Sequence, residues 1–429
     1  MLALGMSGWD LWQENITRRK AISKVMAGTI GAVVAAAAGG AAYYYLTSLT
    51  TRQPKNSLVF GASLPLSGTL KPIADEGMIP LYDIWKNYVN NKGGFYILNR
   101  SLPIELKIYD DASDTAKVPL LYQKLILEDK VDFVLAPWGT AWQLSAAPVC
   151  ENNKKVLVTT IEGGDLTKLG DKPYDYVFFA GEWKPFKNSK TLADFLSYHN
   201  IKSVAIATAQ TDFAIDNTNF LVDELNRRKI EIKYRTEYPL DIKDASPILS
   251  AMAGTKAEAI LFMSYPADSL VLANAFLSQK MEPKLVYFLL GPSYPFFYKA
   301  LADKTEGMMV YMTTNRRVAG EKFVFWSTKL KEKGVDWDWA DQPSIIAGLE
   351  IMEQAITKAA DFDNEKVRQV LITNEFDTIM GKIRYERVDG KWWVSTATPR
   401  IGQWIKGNLR QVWPLDTKEA DPVIPYSPP

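Results

Sequence analysis

The stretch "LVFGASLPLSGTL", residues 58–70, starts as an apolar run and breaks off at Pro65, Ser67 and Gly68. It reads as a buried strand that opens abruptly into a loop of small, hydroxylated residues. The same punctuation recurs downstream in "IELKIYD" (104–110), "VDFVLAP" (131–137) and "KVLVTT" (155–160). Between these runs lie helix candidates near 73–91, 114–128 and 140–152. Strands that alternate with helices predict a parallel sheet flanked by helices.

A second series follows in "SVAIATA" (203–209), "IEIKYRTEYP" (230–239), "AEAILFMS" (257–264) and "KLVYFLLG" (284–291). Its helices are expected near 187–198, 213–228, 245–253 and 267–278. Two similar α/β units therefore stand in sequence. "IYDDASDTAKVPLLYQKLILEDKVDFVLAP" and "EYPLDIKDASPILSAMAGTKAEAILFMS" share a layout of strand, acidic Asp-Ala-Ser loop, helix and apolar strand. Beyond about 312 helices dominate, at 319–333, 343–360 and 364–373. Asp389-Gly390 in "YERVDGKWWVS" then marks a two-residue hairpin turn, and "RIGQWIKGNLRQVW" fits a second hairpin.

The chain has 429 residues, 47% of them hydrophobic, enough for two or three domains with a sizeable core. With 50 Lys and Arg against 49 Asp and Glu, no basic field stands ready for nucleic acid. Cys150 and His199 are the single residues of their kinds. An intrachain disulfide is therefore excluded. So are a zinc site of the usual His/Cys kind and a triad built on Ser-His or Cys-His. Neither cofactor nor metal is expected. Cys150 is expected to be a buried structural thiol, and His199 a surface or capping residue.

Before the folded part, "TRRK" (17–20) leads into a run without charge from Val25 to Thr51. About 20 such residues span a bilayer, and the preceding cations place the following chain outside the cytoplasm. Residues 1–56 are thus expected to be an export signal or, with Tyr43-Tyr44-Tyr45 as an interfacial belt, an uncleaved hydrophobic anchor helix and its tether. Thr17-Arg18-Arg19-Lys20 resembles a twin-arginine signal.

Ligands of open parallel sheets sit beyond the carboxyl ends of the strands. The loops at those ends carry Ser67-Gly68-Thr69, "PWGTAW" (137–142) and "IEGGDLT" (161–167) in the first unit. In the second they are "AQTDFA" (209–214), "SYPADS" (264–269) and "GPSYPFF" (291–297). One set offers glycines and hydroxyls, which let a ligand approach backbone N–H groups. The other offers Phe213, Tyr265 and Tyr294, which supply apolar area with few rotors.

In family order, "FGASLPLSG", "YDDASD", "DFVLAPWGTAWQLSAAPVCENNKKVLVTT", "AIATAQTDF", "ILFMSYPADS", "FLLGPSYP" and "TEGMMVYM" resemble the type I solute-binding proteins of ATP-driven importers, in their branched-chain amino acid class. The resemblance spans roughly 57–400. It implies two Rossmann-like lobes with parallel sheets, joined by three crossovers, with the ligand in the cleft. Lobe 1 would take 57–180 and 312–378, and lobe 2 would take 181–311 and 379–429. Ser67, Gly68 and Thr69 match the first-strand loop, and Phe213 and Tyr265 match aromatic ligand contacts of lobe 2. Gly139 stands where amino acid binders place a serine for the α-carboxylate, Gly164 where they place a threonine, and Ser293 where they place a glutamate for the α-amine. Trp138, Thr140 and Gly163 fill out the same loops, and either Glu162 is the substitute acid or the pocket is expected to prefer a neutral or anionic solute. The implied protein is a non-enzymatic, monomeric, extracytoplasmic receptor for a small organic solute, an amino acid or a related aromatic or carboxylate compound, read by a membrane permease. A sensor module is the alternative reading, and an exported α/β enzyme is disfavoured by the shortage of His and Cys.

Overall fold

Strands β1 (Leu58–Leu64), β2 (Ile104–Asp110) and β3 (Phe133–Val134) form a parallel sheet in the order β2-β1-β3. The computed structural model describes residues 55–427 except 162, 180–184 and 280. The expected signal or anchor segment, and Glu162, lie outside the described residues. Among the described residues no helix is long and apolar enough to cross a membrane.

β1 is central and buried along nearly its whole length, as expected of a parallel strand covered on both faces. Phe60 pairs with Leu106 on one side and Phe133 on the other, and its ring meets Trp85 edge-on at 5.1 Å. Gly61 is needed for close approach: a Cβ there would lie 2.9 Å from the Leu125 side chain. The covering helices include α1 (Ile79–Asn91), α2 (Val118–Gln123) and α3 (Thr140–Asn152).

Strands β4 (Leu157–Val158) and β5 (Val177–Phe179) pair in parallel as part of a second sheet on this half. The chain then enters the other half. There α4 (Pro185–Tyr198), β6 (Ser203–Ala209), α5 (Asp212–Arg227), β7 (Glu231–Tyr238), α6 (Ser246–Thr255), β8 (Ala259–Met263), α7 (Pro266–Ser278), β9 (Leu285–Phe288), α8 (Pro295–Leu301) and β10 (Met309–Met312) follow one another. β6, β8 and β9 are buried throughout, which is why they read as unbroken apolar runs. The chain returns through α9 (Arg316–Glu332), α10 (Asp341–Ala359) and α11 (Asn364–Thr373), whose buried residues join the core of the first half.

Two hairpins close the fold. The first pairs β11 (Tyr385–Val388) with β12 (Trp392–Ser395), and the second pairs β13 (Arg400–Ile405) with β14 (Asn408–Trp413). The seven-stranded sheet of the second half has the order β14-β13-β10-β9-β8-β6-β7. It is parallel except where β13 and β14 join antiparallel.

The strand pairing corrects one expected boundary. The resemblance places the hairpin at 385–395 with lobe 2, from 379 onward, but β12 pairs in parallel with β5 of the first half. Trp393 lies opposite Phe178, and the two rings stack at 6.3 Å. The last passage between the sheets therefore falls at 396–399 rather than at 378–379. Several short elements also went unread, among them β5, β10, α8 and the hairpin of Phe95–Ile97 with Arg100–Leu102.

Cations tie the passages together. Lys187 Nζ donates to the carbonyls of Ser395 at 3.2 Å and Ala397 at 3.0 Å. The buried Arg400 guanidinium donates to the carbonyls of Thr313, Thr398 and Met380. These bonds satisfy backbone carbonyls at a strand end, Ser395, in a hairpin turn, Met380, and beyond the strands, Thr313, Ala397 and Thr398.

Candidate functional site

The carboxyl ends of strands from both halves converge on a cavity of about 30 Å³. The first half contributes Trp138, Gly139, Thr140, Ile161 and the start of α10, Ala340, Asp341 and Ser344. The second contributes Phe213, Tyr265 and Leu290, with Tyr311 and Thr313 at the end of β10.

Local chemistry sets each wall. Gly139 has φ +87°, a value few residues with a Cβ adopt, and from there the chain turns into α3. Thr140 opens that helix, and its Oγ1 accepts the Gly163 N–H at 3.0 Å, which pins the next loop onto the helix start. Phe213 lies in the first turn of α5, capped by Thr211 Oγ1, which accepts from the Ala214 N–H at 3.2 Å. Tyr265 precedes Pro266 at the start of α7, and Asp268 Oδ1 accepts the Tyr265 N–H at 2.8 Å. The other Asp268 oxygen accepts from the Tyr238 hydroxyl. Burial pushes the Asp268 carboxyl up to about 6, against the pull of the hydrogen bonds from Tyr238 and Tyr265.

Three rings form one continuous aromatic surface across the cleft. Trp138 meets Tyr265 edge-on at 6.2 Å, and Tyr265 meets Phe213 at 6.0 Å. Such geometry is the favoured one for aromatic pairs. Tyr265 packs against the cores of both halves.

Asp341 is the one charged side chain among the described residues that line the cavity. Its Oδ2 accepts the indole N–H of Trp138 at 3.1 Å. Asp338, one turn earlier, caps α10 by accepting the N–H groups of Ala340 and Asp341 at 2.8 Å and of Gln342 at 3.1 Å. Burial raises the pKa of both carboxyls, and each lies in the field of the other. The Tyr294 hydroxyl faces Asp341 and lowers its pKa, yet it stays outside hydrogen-bond geometry.

A polar latch crosses beside the cavity. Lys168 Nζ lies 2.8 Å from Asp216 Oδ2 and 3.3 Å from Asp212 Oδ1 on α5. The Asp165 N–H donates to the same Asp216 oxygen at 2.9 Å, and Asn217 Nδ2 reaches the Gly163 carbonyl at 3.3 Å.

Of the expected ligand residues, Trp138, Gly139, Thr140, Phe213 and Tyr265 come together on the cavity wall. Gly163 and Gly164 lie one layer behind; a Cβ on Gly164 would press to 2.5 Å from Thr140 Cγ2. Ser293 is buried, with its carbonyl accepting from the Trp339 N–H at 3.0 Å. Ser67, Gly68 and Thr69 are exposed and off the cavity wall. Ser67 is held instead by Asp110, with Oγ to Oδ2 at 2.7 Å and the N–H to Oδ1 at 3.1 Å. Glu162 lies outside the described residues. Sequence reasoning missed Asp341, Tyr311 and Thr313. The one available sign was "DWDWADQPS" (336–344), an acid-rich stretch that runs into a helix start.

Cys150 is fully buried, and burial pushes its thiol far up. The His199 ring packs at a tilt against Phe195, 4.5 Å between centroids, and burial lowers its pKa.

Two α/β halves whose strand ends face a shared cleft define the fold class of bilobal solute receptors. The chain belongs to the periplasmic binding protein family, whose model matches residues 57–405. Solved structures with this fold include a solute-binding protein of an ABC transporter from Rhodopseudomonas palustris BisB5 in complex with 3,4-dihydroxybenzoic acid. It is 16% identical, with a TM-score of 0.70 over 83% of this chain and 95% of that one. A second R. palustris solute-binding protein, in complex with benzoate, is 12% identical, with a TM-score of 0.70 over 83% and 95%. The branched-chain amino acid transporter substrate-binding protein LivJ from Streptococcus pneumoniae, in complex with isoleucine, is 17% identical, with a TM-score of 0.68 over 86% and 100%.

Proposed function

We propose that the chain is a non-enzymatic, extracytoplasmic receptor that captures a small organic solute between its halves and presents it to the permease of an ABC importer. The observation that carries this reading is the cavity itself. It lies at the strand ends of both sheets, where parallel folds bind ligands, and its walls are aromatic with a few polar groups, as in small-molecule sites generally. Family membership and the ligands named for the similar structures support the same reading.

The cavity of about 30 Å³ holds little more than one or two waters. A solute therefore enters only when the halves part or the rings of Trp138, Phe213 and Tyr265 swing aside. The three passages between the halves, with Lys187 and Arg400 bracing them, suit hinge motion of this kind. The lobes of the receptor are then 57–179 with 316–395, and 185–312 with 400–427.

A thermal-shift screen of the full chain against amino acids, aromatic acids, amines and neutral solutes tests the reading. A bound solute at 100 times its dissociation constant should stabilise the protein by about 2.7 kcal/mol. If none of these solute classes raises the melting temperature, the receptor reading is wrong.

A further inference from the structure

We infer that the solute carries a cationic nitrogen, held against Asp341 inside an aromatic enclosure of Trp138, Phe213, Tyr265 and Tyr311. This rests on the solute-receptor reading and specifies the chemistry of its ligand.

The composition of the wall is the first observation. Four aromatic rings and one carboxylate line the cavity, and neither Lys, Arg nor His does so among the described residues. Aromatic faces carry negative charge density and attract cations, most strongly where water is excluded. A carboxylate in the same enclosure adds a full counter-charge and accepts charge-assisted hydrogen bonds from an ammonium. An anionic solute would meet the opposite field, with no cation on the described wall to offset its desolvation.

The second observation is how Asp341 is held. The Trp138 indole occupies Oδ2 at 3.1 Å and fixes the carboxylate's orientation. The Tyr294 hydroxyl is buried without a hydrogen-bond partner among the described residues, and it interacts with the same carboxylate. The acid is thus placed by neighbours on both sides of the cleft and forms no ion pair among the described residues, whereas the nearby Asp216 has Lys168.

The third is the surrounding charge. Asp338 stands behind Asp341, and Asp212 and Asp268 act electrostatically on Tyr265 together with Asp341. Lys168 offsets Asp212 and Asp216 at the edge of the cleft. Among the described residues, the acids of this interior thus face no cation on the cavity wall itself.

The inference also revises an expectation drawn from the sequence. There, the loss of an acid at Ser293 left an amine without a counter-charge unless Glu162 supplied it. Asp341 supplies one from a different element.

The test is a charge series at nearly constant shape on the full chain: phenylalanine, 2-phenylethylamine and 3-phenylpropanoate, with leucine, 3-methylbutylamine and 4-methylpentanoate beside them. A wider panel of cations, zwitterions, neutral solutes and anions is screened in parallel. Members with a cationic nitrogen should bind at least about tenfold tighter than their des-amino partners. Comparison of amine with amino acid tells whether a carboxylate is also recognised. Asp341→Asn should abolish the preference. The charge preference of the unaltered protein is read independently, should that variant fold poorly. Des-amino acids that bind as tightly as the amines, or a panel whose binders are neutral or anionic, would overturn the inference while leaving the receptor reading in place. A panel with no binder of any class overturns both.

Discussion

The indole N–H of Trp138 donates to Oδ2 of Asp341 at 3.1 Å, joining residues 203 positions apart in the chain. The bond links the loop after β3 to the start of α10, so the aromatic wall and the acid are positioned together. Trp138→Phe keeps a ring but removes the donor. The variant should lose about 1–2 kcal/mol of stability, because a charged acceptor is left without its partner. Urea unfolding measures this; an unchanged midpoint and slope would mean that the bond is not holding the acid.

Lys168 and Asp216 form a latch of a different kind. The lysine side chain is 41% exposed while that of Asp216 is only 8% exposed, so the pair is partly screened and its net worth is modest. Lys168→Met should weaken solute affinity by at most about fivefold. Solute affinity of the unaltered protein should fall as salt rises, and that dependence should flatten in the variant. Titrations at low and high salt decide between this and a bond that plays no part in closure, for which both proteins would respond alike.

Acid stability offers a separate check on how α11 docks. Glu365 receives both guanidinium arms of Arg368, at 2.9 and 2.7 Å, and the Tyr176 hydroxyl at 2.6 Å. Arg368 foremost holds its carboxyl down at about 2, below the ordinary 4.5. A depressed acid contributes stability that is present above the unfolded value and is lost as pH falls through the folded one. The loss should therefore develop between about pH 4.5 and 2. The side chain is 45% exposed, which keeps the contribution below about 1 kcal/mol. Glu365→Gln should show a shallower decline of melting temperature across that window, and a parallel decline would contradict the assignment.

The sequence was most informative where one local pattern decides. β1 and β6 are apolar runs ended by turn residues, and α3 spans the range read from sequence, 140–152. Reading failed where distant pairing decides. "VDFVLAP" and "KVLVTT" hold only two strand residues each. Beyond them the backbone continues with single bonds, such as Leu135 N–H to the Gly61 carbonyl, that no periodicity reveals. The hairpin at 385–395 was legible as a hairpin, but its neighbour β5 lies more than 200 residues earlier. The site divides in the same way. Trp138, Gly139, Thr140, Phe213 and Tyr265 follow strands and could be found by position. Asp341 opens a helix that follows another helix, not a strand, and only the fold brings it to the indole of Trp138.

The most direct test of the account concerns Tyr265, which packs on both cores and touches Trp138 and Phe213. If the cleft is the solute site, Tyr265→Ala should weaken binding of a solute found in the thermal-shift screen by about 1–3 kcal/mol. Because the ring also contributes to packing, the quantity to measure is the dissociation constant by calorimetry, at a temperature where circular dichroism shows the variant folded. The account predicts a dissociation constant raised roughly five- to 150-fold. A folded variant that binds the solute as tightly as the unaltered protein would contradict it.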